Sequence, residues 1–83
     1  MTQPARPKLL IIEDDLGLQR QMRWSLDQFE AVFADDHDSA LAQLRRHEPA
    51  VATLDLGLPP SKDTPDEGFR TLRDMLALTP SLK

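Results

Sequence analysis

Four acidic side chains close two apolar runs. Glu13, Asp14 and Asp15 follow "KLLII" at 8–12, and Asp55 follows "VATL" at 51–54. A carboxylate at the end of a buried strand is costly unless something pairs with it. Brought together, such groups disfavour one another's ionised form, so one protonates or a cation neutralises them. Oxygen donors without a histidine or cysteine partner suit magnesium, which keeps several waters and takes one or two carboxylates plus a phosphate. Asp55 is then placed to act as a nucleophile toward phosphorus, with the metal screening its charge. Each group also has a plainer use. Acidic residues cap helices and oppose the helix dipole, and Asp55 before a glycine and two prolines suits a turn.

The metal chemistry requires both strand ends to meet. "KLLII" is continuously apolar, as in a parallel strand covered on both faces. From Leu16 to about Gln28 the period becomes helical, with Leu18, Met22, Ser25, Leu26 and Phe29 on one face and Asp14 or Asp15 as cap. "AVFA" at 31–34 is a second strand, and "DDHD" at 35–38 is a turn that supplies the next cap. Ala40, Leu41 and Leu44 mark the inner face of a second helix ending near His47, before Pro49. "AVATLD" at 50–55 is the third strand, and 57–68 is a long loop rich in proline and acid. Phe69, Leu72, Met75 and Leu76 mark a third helix, capped by Asp66 and ended by Pro80. This β-α-β-α-β-α order predicts an α/β fold with a parallel sheet and right-handed crossovers, and ligands beyond the carboxyl ends of its strands.

The chain has 83 residues, a net charge of −4 and no cysteine. It buries only about 60–65% of its unfolded surface, a marginal core. Disulfides and thiolate sites are excluded, which fits a reducing compartment. No apolar run approaches the roughly 20 residues of a membrane span, and the polar N-terminus is no secretory signal, so the expected location is the cytoplasm. The paired arginines lie within helical patterns, with no interleaved aromatics, so no direct nucleic-acid binding by this segment is expected.

"KLLIIEDDLGLQRQMRWSL" and "VATLDLGLPP" together resemble the receiver domain of two-component response regulators, from Lys8 to the end of the chain. Stretches such as "ALAQLRRHEPA", "TLDLGLPP" and "EGF" further resemble the activators associated with the PEP-CTERM exopolysaccharide and sorting system, which carry an AAA+ ATPase domain and a DNA-binding C-terminus. The resemblance implies a flavodoxin-like sheet of order 2-1-3 and a flexible tail over 1–7 before an incomplete receiver over 8–83. It implies Asp55 as phospho-acceptor. It implies Mg²⁺ held by Asp14 and Asp55, by Glu13 through a water, and by the backbone carbonyl of Gly57. The implied phosphoryl donor is a sensor histidine kinase, and the implied outcome is regulation of transcription through output domains.

A receiver of this family has five strands and about 120 residues, near the usual single-domain size. Its switch hydroxyl after the fourth strand and its lysine after the fifth have no counterpart here; Thr79 and Lys83 lie in the wrong context. The expectation is a fragment unable to switch normally, with the edge of "AVATLD" open to self-association as a homodimer or larger species. The alternative is a pseudo-receiver or dimerisation module without phosphotransfer. A haloacid-dehalogenase-like phosphatase would need D-x-D, and the position two after Asp55 is Gly57. No phosphate-binding or dinucleotide glycine motif is present. Trp24 lies off the apolar stripe and is expected to be partly exposed or structural. His37 and His47, in or beside turns, are expected to be surface residues.

Overall fold

The computed structural model describes residues 6–60 and 63–83; most of the expected tail, 1–5, and positions 61–62 of the long loop lie outside the described residues. Six elements alternate as expected: β1 (Lys8–Ile12), α1 (Leu16–Ser25), β2 (Glu30–Ala34), α2 (His37–His47), β3 (Val51–Leu54) and α3 (Asp66–Leu78). The strands form one parallel sheet in the order β2-β1-β3. The chain is an α/β protein.

β1 is central, and Leu9, Leu10, Ile11 and Ile12 are all buried. This is why its sequence is continuously apolar instead of alternating. Leu10, Ile12, Val32 and Ala34 face a core completed by Ala40, Leu44, Leu58 and Met75. Successive right-handed crossovers in opposite directions put α1 on the other face of the sheet from α2. The guanidinium of Arg23 sits 5.5 Å from the centre of the Phe33 ring on that side.

α1 is shorter than expected. It ends at Ser25, and the Phe29 amide donates to the Leu26 carbonyl to turn the chain. Arg6 Nη1 donates to the Asp27 carbonyl, which a continuing helix would have used internally. None of the helix is fully buried, and Leu18 is exposed, whereas Met22, Leu26 and Phe29 are half-buried. Trp24 stands in solvent, 82% exposed. α2 begins with a reciprocal cap in which Asp36 accepts from the Ser39 amide and the Ser39 hydroxyl accepts from the Asp36 amide. It ends on Glu48, whose left-handed backbone (φ 47°) is the one positive φ at a non-glycine residue among the described residues.

α3 differs most from expectation. Asp66 is its first helical residue and not its cap; the cap position is Pro65, without a side-chain bond. The inward stripe is Gly68, Thr71 and Met75, while Phe69, Leu72 and Leu76 are exposed. The helix lies so close to the loop after β3 that small residues face inward. A Cβ on Gly68 would fall 2.3 Å from Leu56 Cα. The buried Thr71 hydroxyl is satisfied by the Glu67 carbonyl at 2.7 Å.

The outer edge of β3 is not bare along its whole length. The Lys83 amide donates to the Ala50 carbonyl at 3.2 Å, and the Ala52 amide donates to the Lys83 carbonyl at 2.9 Å. Among the described residues no helix is long and apolar enough to cross a membrane.

Candidate metal and phosphoryl site

Register brings the two acidic strand ends together. Ile12 is aligned with Leu54, so the next residues, Glu13 and Asp55, leave the sheet side by side. The Asp55 amide donates to the Ile12 carbonyl at 3.0 Å, extending the ladder to the site. On the other side the Glu13 amide donates to the Ala34 carbonyl at 2.9 Å. Both backbones are therefore held by the rigid sheet.

Local bonds then divide the acidic residues between tasks. Asp15 caps α1, with Oδ1 accepting from the Gly17 amide at 2.8 Å and the Leu18 amide at 3.1 Å. That assigns to Asp15 the cap that spacing left open between it and Asp14. Asp14 belongs to the cluster instead: one oxygen each of Glu13, Asp14 and Asp55 lies within 4.8 Å of the other two. Gly57 lies two residues past Asp55, and its amide donates to Asp55 Oδ1 at 3.0 Å. This closes a small turn that orients the carboxylate. Among the described residues no glycine has positive φ, so the turn at Gly57 does not depend on that freedom.

Glu13 is 8% exposed. Burial pushes its carboxyl pKa up, opposed by the Asp15 amide, and the charges of Asp55 and Asp14 push it further. The Asp15 amide donates to Glu13 Oε1 at 3.2 Å. A raised carboxyl pKa means that the folded chain holds this proton when the unfolded chain has lost it. Its contribution to stability therefore falls as pH rises from the ordinary 4.5 through the raised value. Three hard oxygen donors, one of them reluctant to ionise alone, fit a small divalent cation. Sequence spacing missed two supports of this site. Gln19 Nε2 on α1 donates to the Glu13 carbonyl, and Gly68 lets α3 pack against the Leu56 backbone between Asp55 and Gly57. A glycine inside a helical pattern was the available signal for the second; nothing local marked Gln19.

These properties predict opposite effects for Glu13→Gln with and without metal. Removing one clustered charge raises the metal-free thermal midpoint at neutral pH by a few degrees. If the cluster takes up Mg²⁺, the same change is expected to weaken the resulting upward shift of the midpoint, with affinity falling about 10–100-fold, as for loss of an outer-sphere partner. Thermal unfolding over a Mg²⁺ series checks both arms, and an unchanged Mg²⁺ response removes Glu13 from the site.

Fold and cluster define an open parallel α/β sheet with an oriented carboxylate and two acidic neighbours at the carboxyl ends of its central and edge strands. No protein-family model matches the chain, and no curated protein matches it significantly.

Proposed function

We propose that the chain is a phospho-accepting receiver module of the response-regulator type, working in the cytoplasm, with Asp55 as acceptor and Mg²⁺ as cofactor. The observation that carries this reading is the three-carboxylate cluster at two adjoining strand ends, in which the Gly57 amide orients Asp55. Asp14, Asp55 and Glu13, with the Gly57 carbonyl as the further ligand implied by the resemblance, would hold the cation. When bound, it supplies positive charge that offsets the repulsion between a carboxylate and an incoming phosphate. Asp55 attacks phosphorus with a carboxylate oxygen, an O–P bond forms, and the P–N bond of the donor phosphohistidine breaks. Its electron pair returns to the imidazole nitrogen, which takes up a proton from solvent. The sheet holds Asp55 in position throughout, because its amide remains in the ladder to Ile12. In the whole regulator this step would govern transcription through output domains.

The test is incubation with acetyl phosphate and Mg²⁺, followed by intact mass measurement. The expected result is one added phosphoryl group that requires the metal and is lost in base, as an acyl phosphate is. A chain that takes up neither phosphate nor a beryllofluoride mimic is instead a pseudo-receiver, used for interaction alone.

The surface favours a contribution from protein contacts in either case. Phe69, Leu72 and Leu76 form an exposed apolar stripe on α3, and among the described residues β3 is an edge strand that Lys83 pairs near Ala50 and Ala52. Self-association through this side is the expected behaviour. Size-exclusion chromatography with light scattering should give at least a dimer at micromolar concentration, and Leu72→Glu should shift it toward monomer. A wild-type monomer throughout the range sinks this expectation.

A further inference from the structure

We propose that His37 is a proton-operated switch at the contact between α2 and α3, its Nδ1 exchanging Asp38 for Arg70 when the ring gives up one of its two protons while Nε2 stays on Asp74. His37 is the first residue of α2, and its side chain is only 12% exposed, contrary to the surface position expected from sequence. Its Nδ1 lies 2.8 Å from Asp38 Oδ1, and its Nε2 lies 2.8 Å from Asp74 Oδ2 on α3. Ionised carboxylates only accept hydrogen bonds. A neutral imidazole has one N–H and can satisfy one of them, whereas imidazolium satisfies both.

The alternative state is built beside it. Arg70 Nη2 lies 3.3 Å from the same Nδ1, and Arg70 Nη1 donates to both Glu67 oxygens, at 3.1 and 3.3 Å. When Nδ1 loses its proton, its lone pair can accept from Arg70 but faces Asp38 unfavourably. The ring thus exchanges a carboxylate partner for a guanidinium partner with one proton. Among the described residues, the charged groups around it are Asp36 and Asp38 on the α2 side and Glu67, Arg70 and Asp74 on α3, with Arg73 Nε holding the second Asp74 oxygen at 3.0 Å. Pro59 and Pro60, joined by a cis peptide bond, line one side of the open pocket of about 250 Å³ beside the ring.

Electrostatics agree with the geometry. The bonds to Asp38 and then Asp74 raise the His37 pKa above its ordinary 6.5, outweighing burial and Arg70. The contact with His37, followed by Arg73, lowers that of Asp74 below its ordinary 3.8. The histidine's contribution is complete below pH 6.5 and is lost as pH rises through its folded value. The aspartate's is complete above 3.8 and is lost as pH falls through its lowered value. The doubly bonded state therefore holds between those limits, and on the alkaline side Nδ1 passes to Arg70 while Nε2–H keeps Asp74. The switch stands on its own geometry and does not depend on the role given to Asp55.

The experiment is proton NMR of the histidine rings with parallel thermal unfolding across this pH range, using wild type, Asp74→Asn and His37→Gln. His47→Gln assigns the two ring signals. In wild type the His37 ring titrates above 6.5, and in Asp74→Asn its midpoint moves down. The wild-type thermal midpoint falls as pH rises through the His37 transition. His37→Gln lies below wild type on the acidic side and converges with it on the alkaline side. A wild-type His37 ring that titrates at or below 6.5 overturns the proposal without any variant, as does an alkaline decline that persists unchanged in His37→Gln.

Discussion

Asp55→Asn is expected to reduce phosphoryl incorporation from acetyl phosphate to background while leaving the fold intact. An amide is not a nucleophile toward phosphorus under these conditions, so the loss should be complete and not partial. The substitution is conservative in every structural respect that bears on Asp55. The Asn side-chain oxygen can still accept from the Gly57 amide, and the backbone amide still donates to Ile12. It also removes a charge that raises the pKa of Glu13, so the metal-free thermal midpoint should equal or exceed that of wild type. Loss of labelling together with retained stability separates a missing acceptor from a misfolded protein. Wild-type labelling in this variant would place the acceptor elsewhere, and peptide mapping of the labile adduct would locate it.

Gly68→Ala is expected to destabilise the protein, against the helix propensity of the two residues. In an exposed helix interior the change gains about 1 kcal/mol. Here the new Cβ would lie 2.3 Å from Leu56 Cα and 2.6 Å from its carbonyl oxygen. Both are backbone atoms, so no side chain can rotate away. Overpacking of this kind costs about 1–3 kcal/mol, and more where backbone must move. For a domain of this size each kcal/mol lowers the thermal midpoint by about 4–8 °C. With a total stability of about 4–12 kcal/mol, such a loss is a large share. Relief of the clash moves α3 or Leu56, and Leu56 joins Asp55 to Gly57, so the Mg²⁺-induced rise in midpoint should shrink as well. A midpoint that rises in Gly68→Ala would show that α3 is not seated on Leu56.

The contrast between Asp36 and His37 shows where sequence reading reaches its limit. Asp36 was legible as part of a capping turn because its partner, Ser39, is three residues away. His37 gave no signal because Asp74 is 37 residues away, on a different helix. The same division runs through the acidic site. Apolar runs and helical periods located the strand ends that carry Glu13, Asp14 and Asp55, and the alternating order implied a parallel sheet. Which aspartate caps α1 depended on the path of the chain into the helix.

By itself the sequence determined the six elements, their order, the burial of β1 and the placement of acidic residues after strands. These follow from periodicity, capping and turn chemistry, which act over a few neighbouring residues. Only the tertiary structure decided that α1 stops at Ser25, that Gly68 and Thr71 face inward ahead of Phe69 and Leu72, and that Lys83 reaches the edge of β3. Those outcomes depend on how closely whole elements approach one another. That distance is set by contacts between residues far apart in the chain, and no local pattern encodes it.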